Sequence, residues 1–133
     1  AFTAVFVVEG VETDLVEILV ACVDGTLENV NVKWSDDSVI TVMLASKGYP
    51  EAYEKGFEIQ GIKDAELDSS VVVFHAGTAT KEGKTVTSGG RVLGVSATGK
   101  TPEEAKKKAY EATDKIHFEG KQNRADIGAF WAL

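Results

Sequence analysis

VVVFHAGTATKEGKTVTSGGRVLGVSA, residues 71–97, decides how this chain is built. Its first five residues are β-branched or aromatic up to His75 and read as a strand. TATKEGKTVT, residues 78–87, reads as a hairpin with Glu82-Gly83 at its tip. RVLGVSA, residues 91–97, reads as the next strand, with Gly94 marking a bulge or a close contact. Strand, hairpin and strand follow one another with no helix between them, which is the order of an antiparallel sheet.

The clearest local signal lies just downstream. Thr101 fits an N-cap, Pro102 the first helical position, and Glu104 closes a capping box. The helix is expected to reach about His117 and to stop before Gly120. Ala105, Ala109, Ala112 and Ile116 recur at helical spacing and form a narrow face of small residues, suited to close packing on a sheet. Lys106, Lys107 and Lys108 read as a solvated face that pairs with nearby glutamates four residues away.

Upstream, SVITVMLAS at 38–46 is an alternating apolar strand, VNVKW at 30–34 another, and a short one is expected at 57–60. ETDLVEILVACVD at 12–24 reads as a helix capped by Thr13 or Asp14 and stopped by Gly25. Leu15, Ile18, Leu19 and Cys22 form its inward stripe, widened by Val16, Val20 and Val23, so extensive burial is expected. FTAVFVV at 2–8 reads as a strand apolar on both faces, to be covered on both sides or paired with another chain. The predicted fold class is α+β, a mostly antiparallel sheet with two helices packed on one side.

A chain of 133 residues is expected to be one domain, long enough to bury a real core. A net charge of −7 argues against general nucleic-acid binding, which needs a basic face, and leaves room for a local phosphate site. The single Cys22 has no disulfide partner within the chain and is expected in the core. No apolar run is long enough to span a membrane, and no basic region opens the chain as a secretory leader would. The start at Ala1 without methionine suggests a fragment or a processed protein.

Chemistry-bearing patterns are sparse. His75 ends a strand and His117 a helix; neither has metal-ligand spacing, and structural roles are expected for both. There is no nucleophile elbow, Walker A loop or dinucleotide fingerprint. Ser88-Gly89-Gly90-Arg91 reads either as a hairpin end or as a backbone surface facing a phosphate.

Longer stretches say more. VMLASKGYPEAYEKGFEIQGI (42–62), VFHAGTATKEGKTVTSGGRVLGVSATGKTPEEAKKKAYEATDKIHFEG (73–120) and RADIG (124–128) resemble the C-terminal domain of the phosphoribosylamine–glycine ligase family, ATP-grasp enzymes of purine biosynthesis. TDLVEILVACVDGTL (13–27) is similar to the helix leading into that domain. The resemblance covers about residues 11–128, with residues 1–10 as an atypical N-terminal strand segment. It implies a cytoplasmic enzyme that activates glycine with ATP and magnesium as an acyl phosphate, which phosphoribosylamine then attacks. It also implies that this domain supplies one wall of the cleft, with the ATP-grasp lobes of the same enzyme as its partner.

On that reading Lys47, Gly48, Tyr49 and Pro50 form a loop at the inner surface. Arg91 is a candidate for the substrate phosphate. Arg124 and Asp126 match the family's closing Arg-x-Asp-Ile-Gly and either face substrate or anchor the tail as an ion pair. The family's nucleotide-binding lysines lie in domains this sequence does not contain. Its metal-holding Phe-Gly-Asp-Pro-Glu motif is replaced by the strand-like AFTAVFVVEGVETD. No catalytic or metal residue and no cofactor of its own is therefore expected in this chain, and the chain alone should be inactive. Lys121, Gln122 and Asn123 stand where the family carries apolar residues and read as polar replacements at a removed interface. The alternative is a recombined or engineered stand-alone module without catalysis, self-associating as a homodimer through residues 2–8.

Overall fold

The computed structural model describes residues 10–129. Its elements are α1 (Leu15–Asp24), a 3-10 turn (Leu27–Asn29), β1 (Ser38–Ser46), α2 (Ile62–Ala65), β2 (Val71–His75), β3 (Thr78–Lys81), β4 (Lys84–Thr87), β5 (Arg91–Gly99), α3 (Pro102–Lys115) and β6 (Lys121–Gln122). β2, β5, β1 and β6 form an antiparallel sheet in that order, and β3 and β4 form a separate two-stranded hairpin. The fold class read from the sequence holds: α+β, dominated by antiparallel sheet. The strand segment expected at 2–8, and the homodimer expected through it, lie outside the described residues.

Alternation along the strands builds the core. Ile40, Val42 and Leu44 of β1 stand opposite Ala97, Val95 and Leu93 of β5, and Val71 and Val73 of β2 continue the same face. All are buried because residues two apart share one side of a pleated sheet. α3 lies across β5 and β1 on this face. Its Ala105, Ala109, Ala112 and Ile116 are buried as expected, and the small side chains let the helix axis come close. The short α2 packs on α3 and β2.

Local chemistry sets the ends. Thr101 Oγ1 accepts from the Glu104 amide at 3.2 Å, with Pro102 in the first turn. Glu104 reaches back one residue further than a standard capping box, accepting from the Lys100 amide at 2.8 Å. Glu104 and Glu111 pair with Lys108 and Lys107 at i, i+4. The β3–β4 hairpin turns on Glu82 and Gly83, both at positive φ (52° and 76°), the geometry whose twist matches the flanking strands. Along the outer edge of β2, the Val71 amide donates to Asp68 O at 2.9 Å and the Val73 amide to Glu66 Oε1 at 3.0 Å.

Several expectations give way. Residues 30–34 form no strand: they touch residues 10–13 through one bridge, Val11–Trp34, and a few hydrogen bonds. β-propensity needs a ladder to express it, and among the described residues no strand lies alongside. Residues 57–60 are held by single bridges, Glu58 to Val86 and Gln60 to His117. Helix α1 forms, capped by Asp14 and ended by Gly25 at φ 68°, while Thr13 bonds instead to Asn31 and Lys33. Its inward stripe is not buried. Among its residues only Ala21 is fully enclosed, and Cys22 is exposed. α1 packs mainly on its own 3-10 turn, and that turn offers too little surface to cover eight apolar side chains.

Lys121, expected as a polar replacement at a removed interface, makes contacts within the domain. Its Nζ donates to Thr113 O (3.0 Å) and Ile116 O (2.7 Å), closing the C-terminal end of α3. Burial of the ammonium holds its pKa below the ordinary lysine value, partly offset by Asp114.

Candidate functional site

The face of the sheet away from α3 carries Thr41, Met43 and Ala45 of β1, Gly94 and Ser96 of β5, and Val72 and Phe74 of β2. Thr41 Oγ1 and Ser96 Oγ share a hydrogen bond of 2.9 Å. Two adjoining hollows open on this face, of about 620 and 440 Å³. Met43, Tyr49 and Arg91 line both, so the two form one concave surface. Phe74, His75 and the glycines at 77, 89 and 90 wall one end. Gln122, Asn123 and Arg124 wall the other.

A β-bulge turns Arg91 toward this surface. The β1–β5 register runs evenly from Ser38–Gly99 to Leu44–Leu93, then pairs Ala45 with Arg91 and skips Val92. In an unbroken strand Arg91 would share the face of Leu93. The extra residue sends Val92 into the core, fully buried, and puts Arg91 on the Met43–Ala45 face. The amides of Ala76 and Gly77 both donate to Val92 O, at 3.0 and 2.9 Å, so the irregularity is held from the β2 side as well. The bulge therefore sits at Val92. Gly94 is in regular register, and a Cβ there would meet Met43 and Thr41 at the ordinary contact distances of 3.5 and 3.6 Å.

Tyr49 is placed by the same loop. Its ring lies against Gly90, where an added Cβ would sit 2.0 Å from Cδ2. Ser46, the buried last residue of β1, donates through its amide to Gly90 O (2.8 Å) and through its hydroxyl to Gly89 O (3.0 Å). The amides of Ser88 and Gly89 both donate to Gly77 O, at 2.8 and 3.1 Å. The 88–90 glycine stretch is thus a close-packed backbone junction, and these two amides are already bonded within it.

The structure brings Tyr49, Arg91 and Arg124 together and separates the other predicted site residues. Lys47 and Gly48 line a neighbouring hollow of about 650 Å³ with Tyr53, Phe57 and Glu119. Tyr53 meets Tyr49 edge to face with ring centroids 6.2 Å apart. Pro50, joined to Tyr49 by a cis peptide, is exposed. Asp126 pairs with Arg124: Nε donates to Oδ1 at 2.8 Å, and a second bond joins Nη2 to Oδ2. That pairing raises the Arg124 pKa and holds the Asp126 carboxyl below its usual range. Both partners are exposed, so the pair is worth little in stability. The tail is instead fixed by Tyr110, whose hydroxyl donates to Arg124 O at 2.8 Å and accepts from the Ile127 amide at 3.0 Å.

Sequence reasoning missed Met43, Phe74 and the bulge. The skipped residue leaves one trace, Val92 next to Leu93, two buried apolar residues where alternation asks for one. His75 bonds Thr78 Oγ1 through Nδ1 at 2.8 Å, and His117 is exposed, its main chain bridging to Gln60. Among the described residues, no group of three or more His, Cys, Asp or Glu side chains could hold a metal ion. Among them too, no helix is long and apolar enough to cross a membrane.

A sheet covered on one face by an alanine-lined helix and left concave and arginine-bearing on the other defines an α+β domain with one open sheet face. Residues 39–130 match the family described as "Phosphoribosylglycinamide synthetase, C domain", and the chain belongs to that family. It is 47% identical over 118 residues to the phosphoribosylamine–glycine ligase of Caldanaerobacter subterraneus, covering 89% of this chain and 28% of the relative. To the Agrobacterium fabrum ligase it is 49% identical over 117 residues, covering 88% and 27%. The crystal structure of the Thermotoga maritima ligase superposes with a TM-score of 0.65 at 43% identity, over 81% of this chain and 27% of that one. The chain thus spans about a quarter of the length of the curated relatives it matches.

Proposed function

We propose that this chain works as the C-terminal part of a ligase that joins glycine to phosphoribosylamine, and that its Tyr49–Arg91 surface is one wall of the cleft. In that reaction a carboxylate oxygen of glycine takes the γ-phosphoryl group of ATP and ADP leaves. The amine of phosphoribosylamine then attacks the acyl carbon, phosphate departs and a proton is lost. On this reading magnesium and ATP belong to the ATP-grasp lobes of the same enzyme.

The observation that carries this reading is the bulge at Val92. It sets a guanidinium on a concave face with an apolar floor, beside a tyrosine ring seated on glycine. Arg91 in that position presents a forked donor to the phosphate of phosphoribosylamine, and Tyr49 offers flat contact to its sugar. Holding that substrate against the acyl phosphate is a contribution of orientation. Lys47, Gly48 and Pro50 shape the adjoining loop, and Arg124, on a tail held by Tyr110, lines the rim.

The test is a chimera in which this chain replaces the corresponding quarter of the Thermotoga maritima ligase. The chimera is expected to make glycinamide ribonucleotide, and the isolated chain to make none. Arg91→Ala should raise KM for phosphoribosylamine roughly 10- to 100-fold, about the size of one lost charged hydrogen bond, with KM for glycine unchanged. An unchanged KM for phosphoribosylamine, or turnover by the isolated chain, would overturn the reading.

A further inference from the structure

Of the 14 lysines and arginines in this chain only two are arginines, Arg91 and Arg124, and both line the same hollow of about 440 Å³. Among the described residues no lysine and no acid lines it with them: the other walls are Met43, Ala45, Tyr49, Gln122 and Asn123. In a chain of net charge −7, the formal charges at this hollow are thus all guanidinium. Lysine carries a point charge, whereas the planar fork of arginine meets the oxygens of a phosphate two at a time. The two arginines arrive by separate routes. Arg91 is set there by the bulge at Val92. Arg124 follows β6, whose Gln122 pairs with Ala45 of β1, on a tail that Tyr110 holds at Arg124 and at Ile127. Because Tyr110 already holds the tail, the exposed Arg124–Asp126 pair contributes orientation rather than stability. It engages Nε and Nη2 of Arg124, which fixes the guanidinium plane and leaves Nη1 to other acceptors.

We propose that this hollow holds the phosphate group of a phosphate monoester between Arg91 and Arg124, with Asp126 as the positioning residue that orients Arg124. A monoester dianion presents three terminal oxygens, enough for two forks at once. Tyr49 stands in the same hollow for the organic part of the ester, and the carboxamides of Gln122 and Asn123 line it beside Arg124. This rests on the ligase reading above for the identity of the monoester, and adds to it a second arginine and the carboxylate that aims it.

With two arginines in the chain, its NMR spectrum has two arginine Nε–H signals, assigned by Arg91→Lys and Arg124→Lys. Ribose 5-phosphate added to the full chain is expected to shift both with a single apparent Kd, and ribose to shift neither. A shift of the Arg91 signal alone, or of neither, would overturn the proposal. Inorganic phosphate binding as tightly as ribose 5-phosphate would assign the hollow to a free anion and overturn the monoester. In the chimera, Arg124→Ala should raise KM for phosphoribosylamine roughly 10- to 100-fold, as Arg91→Ala does. Asp126→Asn should raise it about three- to tenfold with kcat and KM for glycine unchanged, and should add nothing once Arg124 is alanine. Independent effects of the two substitutions would overturn the positioning role. So would a fall of several degrees in the thermal midpoint of Asp126→Asn, which would make the pair a structural tie. If ribose 5-phosphate shifts both signals while the chimera makes no glycinamide ribonucleotide, the ligase reading falls and the anion site stands. If the chimera is active and the signals stay still, the two-arginine site alone is lost.

Discussion

The two long helices invert what their compositions suggest. α1 is LVEILVACVD, eight apolar residues in ten, and most of them face water. α3 is PEEAKKKAYEATDK, with three alanines and one tyrosine as its apolar content, and its alanine stripe is sealed. Burial follows the presence of an opposing surface. α3 has the β1–β5 face beneath it; α1 has its own short turn. Side-chain size matters in the same sense. Alanines let α3 approach the sheet closely enough for Ile116 and the strand residues to fill the space. The bulky valines of α1 meet no such surface among the described residues.

Four measurements would break or sharpen that contrast. The largest effect is expected from Ile116→Ala, at the sealed end of the α3 stripe. It should cost about 2–5 kcal/mol in chemical denaturation, through lost burial and the cavity left behind. Next is Gly90→Ala, whose Cβ would collide with the Tyr49 ring. The ring must leave its seat, at a cost of about 1–3 kcal/mol, and in the chimera the variant should impair phosphoribosylamine binding as Arg91→Ala does. Retained stability and KM would show that Tyr49 has a second placement.

Third is the acid response of the start of α3. The Glu104 carboxyl is held below its usual value, first by its bond to Lys108 and then by the Lys100 amide. A carboxylate with a lowered folded pKa contributes stability above its unfolded value near 4.5, and that contribution fades as pH falls through the folded value. Glu104→Gln should therefore flatten the loss of thermal midpoint between about pH 5 and 3. The effect is small because the group is at the surface. An unchanged acid slope would assign the slope to other carboxylates. Smallest of all is Val20→Ala in the isolated chain, expected within about 0.5 kcal/mol of wild type. A loss comparable to Ile116→Ala would erase the contrast between the helices.

The parts legible in the sequence are those fixed by local chemistry. β2, the Glu82-Gly83 hairpin and the start of α3 at Thr101-Pro102 depend on neighbouring residues, and the structure has them where the pattern puts them. α1 was legible as a helix because Asp14 and Gly25 bound an apolar run. Its exposure was not, because amphipathicity records that a face needs covering and is silent on whether the cover is in the same chain. VNVKW failed as a strand for a related reason, having β-branched residues and, among the described residues, no ladder to join.

The concave surface was the least legible feature. Tyr49 meets Gly90 across 41 positions of sequence, and Arg91 reaches its face only because the register skips Val92. The contacts of Lys121 were not legible either. Its ammonium reaches back to two carbonyls at the end of α3, and because the helix ends at Lys115, capped by Ile116 well before Gly120, no local cap signal marks that reach.

The hydrogen bond from the Val73 amide to Glu66 has a consequence for how this sheet meets other chains. With the Val71 amide also taken by Asp68, the rim of β2 offers few free donors, and a carboxylate stands at its middle. On the opposite rim, among the described residues, β6 pairs only with Ala45 and Ser46, so Ser38–Leu44 of β1 make up the rest of that margin. Any strand that adds to this sheet from a second molecule is therefore expected beside β1 and not beside β2.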